Sequence, residues 1–178
     1  MQVRAVRVAR VAGQREHGIA HVSASKAFNL AGLGCAQSVT ASERAAAVVE
    51  GLPFIAKHAG HFGVLATIAA YREGAAWLDD VVAVIDHNRA LLADLLAEKL
   101  PEVAYTPPRA GYLTWLDLRA LDLGDDPSEA LLERGRVALN AGPTFGPQGA
   151  GFARLNIGTS PALVAEAVKR IGKAVGRD

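Results

Sequence analysis

Between Gly74 and Pro101 runs the stretch that most limits what this chain can become. Apolar residues at Trp77, Leu78, Val81, Val82, Ile85, Leu92, Leu95, Leu96 and Leu100 recur at helical spacing, which predicts a helix over about 75–99 whose stripe is core. Gly74 breaks the preceding helical pattern of 62–73, and Pro101 cannot continue the long one. Beyond Pro101 strand and helix patterns alternate. Residues 112–118 are rich in strand formers, with Leu113, Trp115 and Asp117 on one face and Tyr112, Thr114, Leu116 and Leu118 on the other. Asp126-Pro127-Ser128-Glu129 announces a helix, with a capping acid, a proline at the first helical position and an acid three after the cap. Short strands are expected at 137–140 and 152–158, separated by a Gly and Pro loop over 140–151. Ser160-Pro161 opens a last helix, with Val164, Val168, Ile171 and Val175 at helical spacing. Together these pieces predict a small antiparallel sheet covered by helices.

Upstream of the long helix the chemistry concentrates at Ser23-Ala-Ser-Lys26-Ala-Phe28-Asn29-Leu-Ala-Gly-Leu33. Here a lysine sits among small, hydroxylated and glycine-bearing neighbours. Partial burial would ease loss of its proton, and the neutral amine condenses with carbonyls. The hydroxyls of Ser23 and Ser25 can hold an anion such as a phosphate. An ordinary surface lysine after a turn fits the same four residues. Residues 36–39 then read as a short strand, and Thr40 or Ser42 as the cap of a following helix. His58 and His61 stand three apart, but no third ligand cluster lies near them in sequence, so a metal site is not expected.

Cys35 is the only cysteine, which rules out an intramolecular disulfide and makes a reducing, cytoplasmic setting the default. Its small apolar neighbours make it buried packing rather than a catalytic thiol. A net charge of +1 argues for no polyanionic partner such as nucleic acid. No apolar run approaches the roughly 20 residues a membrane helix needs. Residues 1–20 are Arg-rich and acid-poor, like a transit peptide, but lack its serines; they read as an atypical segment of little structural value.

A second informative stretch is Gly151-Phe152-Ala-Arg154-Leu155-Asn-Ile157-Gly-Thr-Ser-Pro161. An arginine on a strand between apolar neighbours needs an anion. A guanidinium fork grips a carboxylate through two parallel hydrogen bonds. The carboxylate can be a ligand's or that of a structural partner such as Asp117, and spacing alone leaves the two equal.

The segment around Lys26, the Phe-x-Arg-Leu-Asn-Ile motif around Arg154, the loop beginning at Asn140 and the strand near Tyr112 together resemble the aminotransferase class I and II family of pyridoxal-phosphate (PLP) enzymes. The likeness is strongest to its cystathionine beta-lyase-like branch and runs from about Ser23 to Ile171. It implies that Lys26 forms the Schiff base with PLP, that Ser23 and Ser25 hold the cofactor, and that Arg154 binds the alpha-carboxylate of an amino-acid substrate such as cystathionine. The implied activity is beta-elimination to a thiol, pyruvate and ammonia, with transamination or a non-catalytic binding or dimerisation module as alternatives. The implied fold is α/β to α+β: a remnant of the PLP-binding large domain over 21–75, a connecting helix over 76–100 and a small C-terminal α+β domain over 101–178. The family's amino-terminal half, which supplies the remaining cofactor contacts, has no counterpart before Ala20. Gly34 stands where the family commonly has a basic residue near the phosphate. The chain therefore reads as the carboxy-terminal part of an enzyme, either a homo-oligomer or one completed by its missing half, with apolar surface left to cover.

Overall fold

The computed structural model describes residues 16–177. Most of the 1–20 segment singled out above lies outside those residues. The chain divides into two compact units, one ending at Asp80 and the other beginning at Val81.

In the first unit β1 (Ile19–Val22) and β2 (Gln37–Thr40) pair antiparallel, with Ile19 opposite Thr40 and Val22 opposite Gln37. The lysine-bearing loop, residues 23–36, is the connection between these two arms and contains a short 3-10 turn at Ala31–Leu33. The second strand begins one residue later than the sequence pattern predicts. Ser42 is the cap of α1 (Glu43–Glu50): its Oγ accepts the Ala45 N–H at 3.1 Å. The short α2 (Phe54–Lys57) and α3 (His61–Glu73) follow, and Gly74 ends α3 by donating its N–H to the Ala70 carbonyl at 3.0 Å. A Cβ at Gly74 would stand 2.7 Å from the Phe28 ring, closer than such contacts occur, so glycine is what lets that ring lie against the helix junction. Phe28 also stacks on Trp77 at 6.1 Å and meets Tyr71 edge-on at 5.8 Å. Being two residues past Lys26, it anchors the lysine loop.

Burial in this unit is thin. Its buried apolar side chains among the described residues are Ala24, Ala45 and Leu78, whereas Phe54, Ile55 and Phe62 are 76%, 81% and 76% exposed. Cys35 is half-buried, not the buried packing residue expected from its neighbours. The small side chains around it leave it beside an open cleft instead.

The helix α4 (Ala75–Lys99) has the predicted extent. Its stripe, however, is core only in part. Leu92, Leu96 and Leu100 join the main core and Leu78 is buried within the first unit, whereas Trp77 and Val82 are exposed.

In the second unit β3 (Ala104–Tyr105), β4 (Leu113–Asp117), β5 (Asn140–Ala141) and β6 (Phe152–Asn156) form one antiparallel sheet in the order β3-β4-β6-β5. The core joins Leu116 of β4 and Ala153 and Leu155 of β6 to Leu92, Leu96 and Leu100, to Leu131 of α5 (Pro127–Gly135), and to Val164, Val168 and Ile171 of α6 (Pro161–Ala174). Asp126 and Ser160 cap α5 and α6 by accepting the N–H groups of Ser128 and Leu163. The strand expected at 137–140 is only Asn140–Ala141. Arg136 turns left-handed after α5 (φ 55°), and Val137 donates its N–H back to the Leu131 carbonyl at 3.3 Å, so that group goes to a helix end rather than a ladder. Likewise β6 stops at Asn156, whose Oδ1 accepts the Gly158 N–H at 2.8 Å. The result is the mixed α/β to α+β arrangement that the sequence predicts, with antiparallel sheets throughout.

Asn88 on α4 is fully buried, and its Nδ2 donates to the carbonyls of Ile157 at 2.9 Å and Thr159 at 2.8 Å. Asn88→Ala strips both acceptors of their donor, and the Ile157 carbonyl lies on a fully buried residue. Urea unfolding followed by circular dichroism should show a loss of about 2–3 kcal/mol.

Candidate active site

In the first unit the loop after β1 turns at once: Ser25 donates its backbone N–H to Ser23 Oγ at 3.0 Å, and Phe28 and Leu30 donate back to Ala24 and Ser25. Ser23 and Ser25 are half-buried, and each keeps a hydroxyl proton to donate. Lys26 is exposed, which departs from the partial burial its chemistry invites; the turn points outward once Ala24 beside it is buried. Ser25 also lines a cleft of about 590 Å³ with His21, Cys35, Ser38, Lys57 and His58. Among the described residues no group of His, Cys, Asp or Glu is placed to hold a metal ion. Gly34 closes the 3-10 turn in the left-handed conformation (φ 56°), with nothing within 4 Å of a Cβ built there. Room for a side chain exists at that position, and backbone strain is what opposes one.

In the second unit Arg154 lies on β6 between two strands, facing Trp115 of β4 on one side and Asn140 of β5 on the other. Its Nε and Nη2 donate to Asn140 Oδ1 at 3.3 and 3.0 Å. Its guanidinium carbon sits 4.7 Å from the centre of the Phe145 ring. Phe145 ends a 3-10 turn, Gly142–Phe145, that folds back because Gly142 and Gly149 meet backbone to backbone, where any Cβ would collide. Trp115 completes the surroundings, edge-on to Phe145 at 5.5 Å and stacked on Phe152 at 5.7 Å.

Asp117, the acid offered by spacing as a partner for Arg154, is engaged elsewhere. Arg119 grips it through Nε to Oδ1 at 2.9 Å and Nη2 to Oδ2 at 2.7 Å, and Arg119 itself lies over the Phe152 ring. Among the described residues no carboxylate stands within ion-pair distance of Arg154. The hydrogen bond from the Arg119 side chain holds the Asp117 carboxyl below its ordinary 3.8, helped by the Arg119 N–H and its charge, and opposed by burial.

The sequence model of a family described as aminotransferase class I and II matches residues 2–171. The chain belongs to that family. A protein of Mycobacterium leprae, provisionally named a cystathionine beta-lyase, is 39% identical over 174 residues, covering 90% of this chain and 43% of the relative. A cystathionine beta-lyase of Corynebacterium glutamicum is 36% identical over 155 residues, covering 85% and 40%. The structure of a PLP-bound C-S lyase from Staphylococcus hominis superposes with a TM-score of 0.79 at 27% identity, covering 88% of this chain and 42% of that one. Within the family this chain falls in the cystathionine beta-lyase-like branch of carbon-sulfur lyases, whose cofactor is PLP. It spans less than half the length of the relatives it matches.

Ser23, Ser25 and Lys26 thus share one loop of the first unit, and Arg154 belongs to the second. Sequence reasoning gave no role to Asn140 or Phe145. Both lie in a loop whose residues carry only a family likeness, and only strand pairing and the turn at Gly142–Phe145 bring them to the guanidinium.

The Asp117 pair sets a pH dependence. A carboxyl lowered on folding stabilises the fold above its ordinary value, and that contribution is lost as pH falls through the lower, folded value. Carbon-detected NMR should find Asp117 titrating below 3.8. In Arg119→Ala the midpoint should return toward that ordinary value.

Proposed function

We propose that this chain supplies Lys26, Ser23, Ser25 and Arg154 to a PLP-dependent carbon-sulfur beta-lyase acting on an amino acid such as cystathionine, with water, to give a thiol, pyruvate and ammonia. The observation that carries the reading is the guanidinium of Arg154, oriented by Asn140 and Phe145 but given no carboxylate of its own among the described residues. Asn140 takes the Nε and Nη2 edge, and the N–H groups of the remaining Nη1 and Nη2 edge form a fork that suits the alpha-carboxylate of an amino acid.

The lysine loop fits PLP in part. The Lys26 amine matches the cofactor's aldehyde, and the Ser23 hydroxyl, already accepting from the Ser25 N–H, is left to donate to the phosphate with Ser25. Residues 23–34 carry no carboxylate for the ring nitrogen and no cation at Gly34. The resemblance assigns the ring contacts to the part of the relatives that lies beyond this chain. When bound, PLP takes up the electron pair left at the alpha carbon once its proton is removed. With PLP and substrate in place, the Lys26 Nζ would be the group to accept that proton. Arg154 holds the carboxylate and with it the orientation of the alpha carbon. That electron pair would let the beta sulfur leave as a thiolate, which takes up a proton to become the thiol; the names of the relatives support this outcome over transamination.

One observation favours a second reading, a non-catalytic module for binding or dimerisation. Phe54, Ile55 and Phe62 present apolar surface that needs a cover. On the first reading that cover is the additional length present in the relatives; on the second it is another protein surface.

Borohydride reduction in the presence of PLP, followed by peptide mass analysis, separates the two. The enzyme reading requires a cofactor adduct on the Lys26 peptide and turnover of cystathionine. Lys26→Ala should lose the adduct and cut turnover by about 10²–10⁴-fold. A folded sample that gives neither adduct nor turnover leaves only the module.

A further inference from the structure

We infer that Asn140 is a positioning residue for Arg154, and that its neutrality is what keeps the guanidinium available to an external carboxylate. The inference rests on the proposed role of Arg154 and adds the residue that sets it. Asn140 stands directly opposite Arg154 in the β5–β6 register, and one amide oxygen accepts from both Nε and Nη2. An amide oxygen fixes the plane of the guanidinium but leaves its charge uncompensated. A carboxylate in the same place would fix the plane equally and occupy the charge.

The rest of the sheet face is arranged to the same end. Opposite Arg154 on its other side stands Trp115, an aromatic with no acceptor oxygen, and Asp117 lies diagonally one pleat further along β4. A long arginine side chain reaches across such a diagonal. Arg119 closes both oxygens of Asp117, and its own position over Phe152 holds it there. On the remaining side the Phe145 ring offers its face to the cation without a competing charge. Among the described residues Asn140 and Phe145 therefore orient Arg154, and no carboxylate neutralises it.

Asn140→Asp separates this role from a merely structural one, because it keeps an acceptor at the same place. The readout is the Arg154 Nε–H signal in nitrogen-edited NMR of the full chain, assigned by its loss in Arg154→Lys, during titration with L-cystathionine. In the unchanged chain the signal shifts and saturates. Asn140→Asp should need at least about tenfold more L-cystathionine for half-saturation while unfolding at the same or higher urea concentration. Asn140→Ala should need about threefold more, with the signal broadened as the guanidinium loses its orientation. Half-saturation in Asn140→Asp matching the unchanged chain would overturn the inference and leave the carboxylate grip standing. A signal that L-cystathionine does not move in the unchanged chain would overturn the grip itself, and the inference with it.

Discussion

Burial of alternate residues on β4 and β6 is the constraint from which the second unit follows. Thr114, Leu116, Ala153 and Leu155 face a core closed by the leucines of α4, by Leu131 and by the apolar stripe of α6. Thr114 is admitted because its hydroxyl donates to the Leu155 carbonyl at 3.0 Å. The two-residue period of a strand then leaves Trp115, Asp117, Phe152 and Arg154 on the other face. A slip of one residue would bury a guanidinium and a carboxylate among leucines, at a cost no local contact offsets. The same force that packs the core thus puts the arginine on the opposite, half-buried face of the sheet.

The first unit obeys a different balance. Its described residues bury few apolar side chains, and its lysine loop is held by the pairing of β1 with β2 and by the ring of Phe28 wedged at Gly74 between Tyr71 and Trp77. That wedge explains why an exposed lysine can still have a defined place: the residue two further on is fixed. The exposed rings of Phe54 and Phe62 and the side chain of Ile55 give the unit the surface expected of a piece that packs against more protein. The relatives, more than twice as long as the matched span, have the material to supply it.

Much of this was legible from spacing. Helix α4 runs over the predicted 75–99 because an apolar stripe bounded by Gly74 and Pro101 leaves little choice. Ser42, Asp126 and Ser160 announced the starts of α1, α5 and α6 because each cap needs only the residues three or four ahead of it. The strand expected at 137–140 shrinks to Asn140–Ala141 because the left-handed Arg136 sends the Val137 N–H back to α5. The exposure of Trp77 and Val82 was also hidden, since a stripe of apolar residues shows which face seeks cover but not how far the cover extends.

By itself the sequence determined the family, the lysine with its serines, the arginine motif and the alternation that separates the two faces of residues 112–118. Each of these rests on residues close together in the chain, where covalent geometry and periodicity decide. Only the tertiary structure decided the partners of the charges. Asp117 could have reached Arg154 or Arg119, and the register of β5 on β6 together with the fold of the 142–149 loop gave Arg154 an amide and a ring instead. Such choices depend on strands brought together across long separations, whose pairing no local pattern encodes.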